Sequence, residues 1–276
     1  MRCLVIGCGS IGSRRARILQ EMGHDVWAYD SEPARVNALY AAGDCTIPSY
    51  GPNYWLADGK GYDAAFVCTP PDTHIRIVRA ALLAMIPTFV EKPLSLSMDG
   101  IPELIEATKK AGLVTMGACN LRFAYDVPDL PTQMVATVWK PLSEWRPGAE
   151  AYRANGLVLE CAIHELDLVY SLHGPIRAIT ALGDEDHTCL VVTHESGDES
   201  HVYASWQEGK PTIRNIHGGG YVYEPDLSDE MYRREMAHFL DCVERGVETC
   251  NPLRNAAHVL EWALKAQAQL RAGVPA

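Results

Sequence analysis

The sequence predicts an α/β protein in two parts. Residues 1–120 should form a doubly wound parallel sheet, and residues 121–276 an α+β part with a mostly antiparallel sheet. Three observations predict it. Short apolar runs alternate with helix-compatible segments from the N-terminus to Cys119, the pattern of βαβ units. The first run leads directly into Gly7-Cys8-Gly9-Ser10-Ile11-Gly12. Past Arg122 the texture changes to strand-like runs separated by turn residues.

The first element, Arg2-Cys3-Leu4-Val5-Ile6, is apolar and partly β-branched, as a strand covered on both faces requires. A helix over Ser13–Met22 follows the glycines. Strand, G-x-G-x-x-G, then helix is the context that gives the motif physical meaning. Gly7 allows the tight turn, Gly9 lets backbone approach a pyrophosphate, and Gly12 lets helix and strand pack closely. The free N–H groups at the helix start, from Ser10 and Ile11 onward, then face the phosphates. His24–Tyr29 reads as a second strand, and Asp30 closes it 18 residues past Gly12. A carboxylate there accepts hydrogen bonds from both ribose hydroxyls and repels a 2′-phosphate, so NAD is favoured over NADP. Asp30-Ser31-Glu32 strengthens that preference, and Arg35, one turn on, moderates it.

Glu32–Ala42 is the next helix, stopped by Gly43. Residues 50–62 are rich in Gly, Pro and Asn and read as a loop, with Tyr54, Trp55 and Leu56 as anchors. Strands follow at Ala64–Cys68, Thr88–Val90 and Leu113–Cys119, with helices from the Thr69–His74 break to about Ala84 and from Asp99 to Ala111. In such a sheet, ligands sit outside the carboxyl ends of the strands. Gly7–Gly12, Asp30, Thr69–His74, Glu91–Pro93 and Asn120–Arg122 all fall at those ends.

In the second part, Gln133–Trp139, Ile176–Leu182, Thr188–His194, Ser200–Gln207 and Thr212–His217 are strand-like and spaced as an antiparallel meander. Gly197-Asp198 and Gly218-Gly219-Gly220 supply turns. A helix is expected over Leu157–Leu172, and two more close the chain at Asp229–Arg245 and Leu253–Arg271. These closing helices are candidates for packing back on the first domain.

Composition bounds the function. At 47% hydrophobic and 21% charged residues, the chain of 276 is globular in character. A net charge of −11 argues against a nucleic-acid partner, which requires a basic face. No apolar run is long enough to span a membrane, and the first apolar run is consumed by a strand rather than a signal peptide. Nine cysteines without a C-x-x-C pair predict reduced thiols in the cytoplasm. No cluster has metal-ligand spacing.

Taken together, several motifs resemble the glucose–fructose oxidoreductase / inositol dehydrogenase (Gfo/Idh/MocA) family. They are Gly7-x-Gly9-x-x-Gly12, Thr69-Pro70-x-x-x-His74, Glu91-Lys92-Pro93, Gly117-x-x-Asn120-x-Arg122-Phe123, Glu160-x-x-x-His164-x-x-Asp167 and Met231-Tyr232-Arg233-x-Glu235. The resemblance covers nearly the whole chain. It implies a Rossmann domain binding NAD through the glycines, Ser10, Ile11, Asp30, Thr69, Pro70, His74, Glu91, Lys92 and Asn120. It also implies a second domain that binds a sugar-like small molecule and forms a homo-oligomer, a dimer or tetramer. Trp145-Arg146-Pro147 and Tyr152-Arg153 resemble a subgroup found with sugar and cell-surface polysaccharide metabolism. They join Arg122 as candidate substrate contacts, with aromatic faces for a ring and guanidinium groups for an anion. The segment from Tyr152 to Gly156 is shorter than in relatives, so the second domain is small.

The same residues make chemical sense without the resemblance. Oxidising a secondary alcohol with NAD moves a hydride to the nicotinamide while a base takes the hydroxyl proton. His164 is the natural base, because imidazole titrates near neutrality. Glu160 and Asp167 stand at i−4 and i+3 from it, so a regular helix presents all three on one face. Lys92 can hydrogen-bond the same hydroxyl and stabilise developing alkoxide. Lys92, His164 and Glu160 are the candidate catalytic residues, and they touch substrate too. The leading expectation is an NAD-dependent oxidoreductase acting on a hydroxyl or keto group of a sugar, cyclitol or nucleotide-sugar-like compound. Two rivals share the fold: a redox-neutral epimerisation or elimination through bound NAD, and a non-catalytic dinucleotide-binding regulator.

Overall fold

A computed structural model describes residues 1–49, 61–125, 133–140, 153–206, 213–218 and 221–273. The chain divides into two compact units, Met1–Ala118 with Ser228–Ala256, and Cys119–Leu227 with Ala257–Ala276. The second unit is therefore not the simple C-terminal stretch 121–276, because the first unit takes back one closing helix and the start of the other.

In the first unit the elements run β1 (Arg2–Ile6), α1 (Ser10–Glu21), β2 (Asp25–Tyr29), α2 (Pro33–Ala42), β3 (Ile47–Ser49), β4 (Ala64–Val67), α3 (Pro71–Leu83), β5 (Thr88–Val90), α4 (Ile101–Ala111) and β6 (Thr115–Gly117). The six strands pair in the order β3-β2-β1-β4-β5-β6, all parallel. Burial explains the arrangement. Every residue of β4 and β5 is buried, as is β1 from Cys3 onward, because helices cover a parallel sheet on both faces. The strand order reverses between β1 and β4, so a crevice opens at their carboxyl ends. Strand β3 was not foreseen. It is short, contains Pro48 and lies at the sheet edge, where a residue without an N–H costs no ladder bond. At the other edge Gly117 donates to the Asn251 carbonyl at 2.9 Å and accepts from the Asn251 side chain at 3.0 Å. The returning segment thus ties down a strand edge.

Helix α1 starts at Ser10, three residues before the sequence pattern suggested, so Ser10 and Ile11 form its first turn. Its buried stripe is Gly12, Arg15, Ala16, Ile18 and Leu19. The returning helix α6 (Asp229–Arg245) is capped by the Ser228 hydroxyl, which accepts from the Glu230 N–H, and ends at Gly246 in the left-handed region. It buries Met231, Tyr232, Glu235, Met236, Phe239 and Leu240 on one stripe. Phe239 meets Phe66 at 5.5 Å and Phe89 at 5.7 Å, both edge-on, the geometry favoured by aromatic quadrupoles.

The second unit holds β7 (Gln133–Lys140), α5 (Ile163–His173), β8 (Ile176–Gly183), β9 (His187–His194), β10 (Glu199–Trp206), β11 (Ile213–Gly218), β12 (Tyr221–Tyr223) and most of α7 (Leu253–Ala272). The strand order is β12-β11-β7-β10-β9-β8. This corrects the expected meander: β7 inserts between β11 and β10 and pairs parallel with β10. The segment leading from β7 to β8 carries α5, and a parallel pair needs such a long crossover. The other pairs are antiparallel. Burial alternates along β9, the mark of a sheet with one covered face. No helix among the described residues is long and apolar enough to cross a membrane, and all nine cysteines are free thiols.

Candidate active site

The glycine loop occupies the crevice at the ends of β1 and β4, and the three glycines have separate reasons. Gly7 has φ +93°, and a Cβ there would lie 2.8 Å from the Cys68 and Thr69 backbone. A Cβ on Gly12 would lie 1.8 Å from the Gly7 carbonyl oxygen. A Cβ on Gly9 would meet nothing within 4 Å. The first two glycines are demanded by the protein's own packing, whereas the third leaves open space at the start of α1. Gly9 is the N-cap and offers no side-chain cap, so the first-turn N–H groups stay available to an anion. That cradle fits the pyrophosphate of a dinucleotide.

Asp30 stands at the end of β2 and is buried. One carboxylate oxygen accepts from the Cys8 N–H at 2.7 Å, and the other from the Glu32 N–H at 2.8 Å. It therefore fixes the glycine loop as well as presenting negative charge beside it. Arg35 is half-exposed, 3.0 Å from Glu32 and 3.7 Å from Asp30. Its charge is matched by two acids rather than offered to a phosphate.

Thr69 and Pro70 lead from β4 into α3 and remain accessible. His74 does not: its side chain is fully buried, with Nε2 2.8 Å from the Thr69 carbonyl and Nδ1 3.1 Å from the Pro93 carbonyl. The ring is thus placed for the structural role at the helix start rather than exposed beside the crevice. It braces the Thr69 loop against the Glu91-Lys92-Pro93 turn, and burial pushes its pKa down. Glu91 and Lys92, half-buried, leave the carboxyl end of β5. The Glu91 carboxylate accepts from the Lys92 N–H at 3.3 Å and from Arg15 Nε at 2.6 Å.

The second unit carries the other candidates. Asn120 is buried in a short 3₁₀ turn, Asn120–Phe123, and its side-chain oxygen has no hydrogen-bond partner. Arg122 in the same turn is spent on Asp167: Nε and Nη2 reach its two oxygens at 2.8 and 2.7 Å, with both side chains about nine-tenths buried. Asp167 thus holds Arg122. Neighbouring Glu165 is buried against Arg214 of β11.

Glu160 lies in a π-helical turn, Val158–Ala162, that runs into α5 at Ile163. The wider π turn replaces the regular helix expected ahead of His164. The buried Glu160 carboxylate accepts from the Asn155 side chain at 2.7 Å. His164, in the first turn of α5, is partly exposed. Arg153 is exposed and forks onto Asp186 at 2.7 and 2.8 Å. Trp145, Arg146 and Tyr152 lie outside the described residues, as do Tyr54, Trp55 and Leu56. Among the described residues, no group of three or more His, Cys, Asp or Glu could hold a metal ion.

The buried Arg122–Asp167 pair carries a stability prediction. Asp167→Ala takes the carboxylate away from a buried guanidinium, and its expected cost is about 3–5 kcal/mol. Chemical denaturation checks it.

Comparison with known proteins agrees with this geometry. Residues 1–118 match the family model for the GFO_IDH_MocA oxidoreductase family, NAD-binding Rossmann fold. The scyllo-inositol 2-dehydrogenase (NAD(+)) of Bacillus subtilis is 24% identical over the whole of this chain and 95% of its own length. Residues 1–118 thus match the Gfo/Idh/MocA oxidoreductase family. A myo-inositol 2-dehydrogenase of Thermotoga maritima is 29% identical over 71% of this chain and 66% of its own. The fold agrees with a solved structure, a probable dehydrogenase from Thermotoga maritima, at a TM-score of 0.86 and 20% identity, covering 99% of this chain and 97% of that one. By these matches this chain is an oxidoreductase with an NAD-binding Rossmann domain, and the glycine loop and Asp30 are the parts of that domain described above.

The oxidoreductase signal in the sequence was strong, but two features were not legible in it. The π turn at Val158–Ala162 has no propensity signature. The use of Glu91 by Arg15 links residues 76 positions apart, which only the sheet brings together.

Proposed function

We propose that this chain is an NAD-dependent dehydrogenase of a sugar, cyclitol or nucleotide-sugar-like alcohol. The observation that carries the reading is Lys92. It leaves a strand at the carboxyl end of the sheet whose adjoining switch point carries the glycine cradle, and it is followed in sequence by the Glu160/His164 helix. The inositol dehydrogenases related to this chain support the substrate class.

Bound NAD supplies the hydride acceptor. This chain's residues do the rest. His164 takes the hydroxyl proton, Lys92 donates a hydrogen bond to the developing alkoxide, and Glu160 orients the substrate or the base. Trp145, Arg146, Tyr152 and Arg153 contribute to recognition of the substrate, and Asn120 to that of the cofactor.

The test is a thermal-shift comparison of NAD, NADH, NADP and NADPH, followed by absorbance at 340 nm with inositols, sugars and nucleotide sugars. Stabilisation by NAD(H) with substrate-dependent absorbance supports the reading; no binding of any dinucleotide overturns it. Cofactor choice has its own test. Asp30→Ser removes the charge that repels a 2′-phosphate, so the ratio of NADP to NAD affinity should rise about tenfold or more. NAD affinity itself should fall, because the loop loses the Cys8 N–H partner. An unchanged ratio would show that Asp30 does not face the ribose.

We also place the chain in the cytoplasm, in keeping with its free thiols, and read it as a homo-oligomer, a dimer or tetramer. The second unit's sheet supports the latter. Leu182 and Tyr203 both pair across β9 with Cys189 and so share one face, and both are exposed. Light scattering during size exclusion decides it, and a monomer would overturn it.

A further inference from the structure

Three segments of the first unit meet at one guanidinium. Arg15 lies on the buried stripe of α1 and is completely inaccessible to solvent. Its Nη2 is 2.5 Å from Glu91 Oε1 and 2.9 Å from Glu235 Oε2. Its guanidinium carbon lies 4.3 Å from the Phe89 ring centroid and 5.4 Å from that of Tyr232. Glu235, from the returning helix α6, is fully buried as well. An ion triad of this kind is an expensive way to fill a core, since apolar residues of similar volume would often be at least as stable. What it supplies is a fixed direction.

That direction ends at Lys92. The Glu91 N–H donates to the Val67 carbonyl at 2.9 Å, which pins its backbone to β4. Its side chain has one oxygen on Arg15 and the other on the Lys92 N–H. The Glu91 carboxylate is therefore oriented by Arg15, and the same Nη2 of Arg15 pairs with Glu235. We propose that Arg15 and Glu235 are positioning residues for Lys92, so that α6, far along the chain, helps set the geometry of the residue that hydrogen-bonds the substrate alkoxide. Arg, with its rigid fork, suits this place where Lys does not, because two carboxylates must be held at fixed angles to each other. The assignment rests on the reading of Lys92 as a proton-handling group.

The experiment reads Lys92 directly. Lysines of the full chain are reductively methylated with ¹³C-formaldehyde, and the Lys92 signal is identified by its loss in Lys92→Arg. The variants are Glu235→Gln, which removes charge at constant volume, and Arg15→Lys, which keeps charge but removes the fork. Phe239→Leu, in the same helix against the same aromatic cluster, is the packing control. Both test variants should move the Lys92 chemical shift away from its wild-type position. Phe239→Leu should lower the melting temperature and leave the Lys92 signal in place. On any alcohol that the unmodified wild-type chain oxidises, unmodified Glu235→Gln should lower kcat about tenfold, with the NAD dissociation constant within about twofold. A folded Glu235→Gln with a wild-type Lys92 signal overturns the proposal, as does an equal shift in Phe239→Leu. If Arg15→Lys does not fold, Glu235→Gln decides alone. Absence of turnover in the wild-type chain would count against the dehydrogenase reading, while the Lys92 signal would still decide the positioning.

Discussion

Replacing His164 with Ala is expected to lower turnover by a factor of about 10²–10⁴ while leaving NAD affinity unchanged, the usual range for loss of a positioned general base. The expectation rests on place and chemistry. His164 is partly exposed in the first turn of α5, while Glu165 is buried against Arg214 and Asp167 holds Arg122. An imidazole can both take up and release a proton, the chemistry that a general base needs. NAD belongs to the glycine cradle of the first unit, so the substitution should not reach it. Steady-state kcat at 340 nm together with an NAD titration separates the two effects. Loss of turnover with intact NAD binding supports the base, and unchanged turnover would remove His164 from the chemistry. A fall in NAD affinity alone would make it a binding residue.

Two substitutions in the glycine loop are expected to fail in opposite ways. In Gly12→Ala the new methyl would sit 1.8 Å from the Gly7 carbonyl oxygen and 3.2 Å from Cys68 Cβ. Backbone cannot yield as a flexible side chain can, so helix α1 must shift off β1. The expected cost is at the upper end of the usual overpacking range, about 3 kcal/mol, or about 6–12 °C in melting temperature. In Gly9→Ala the methyl meets no protein atom within 4 Å, and the backbone, at φ −68°, accepts alanine without strain. Stability should stay within about 0.5 kcal/mol of wild type. NAD affinity should nevertheless fall about tenfold or more, because the methyl occupies the approach of the pyrophosphate. Thermal melts with and without NAD check both. A stable Gly9→Ala that binds NAD as wild type does would show that the phosphates do not approach there.

Local physics explains which elements were legible. The strand, glycine loop, helix and closing acid from Arg2 to Asp30 are readable because each step depends on neighbours in sequence: apolar runs, positive φ at Gly7, and an uncapped helix start. Helix α6 was legible to its exact ends, because Ser228, two acids in the first turn and Gly246 mark them. The misplacements came where long-range pairing ruled. Strand β7 carries nothing that says it will pair parallel with β10 rather than antiparallel with β8, since alternation fixes a face and not a partner. At Val158–Ala162 the structure has a π turn where a regular helix was expected, a difference in hydrogen-bond register that no residue preference marks.

The sequence by itself determined the dinucleotide domain, the identity of its loop glycines, and the family that this domain matches. All of these are written in short-range patterns of side-chain size, backbone freedom and charge. Only the tertiary structure decided what those charges are for. It gave Asp167 to Arg122, set both nitrogens of His74 on backbone carbonyls, and joined Arg15 and Glu235 to the carboxylate that holds Lys92. A buried charge must find its partner wherever folding brings one, and those partners stand 45, 76 or more residues away along the chain.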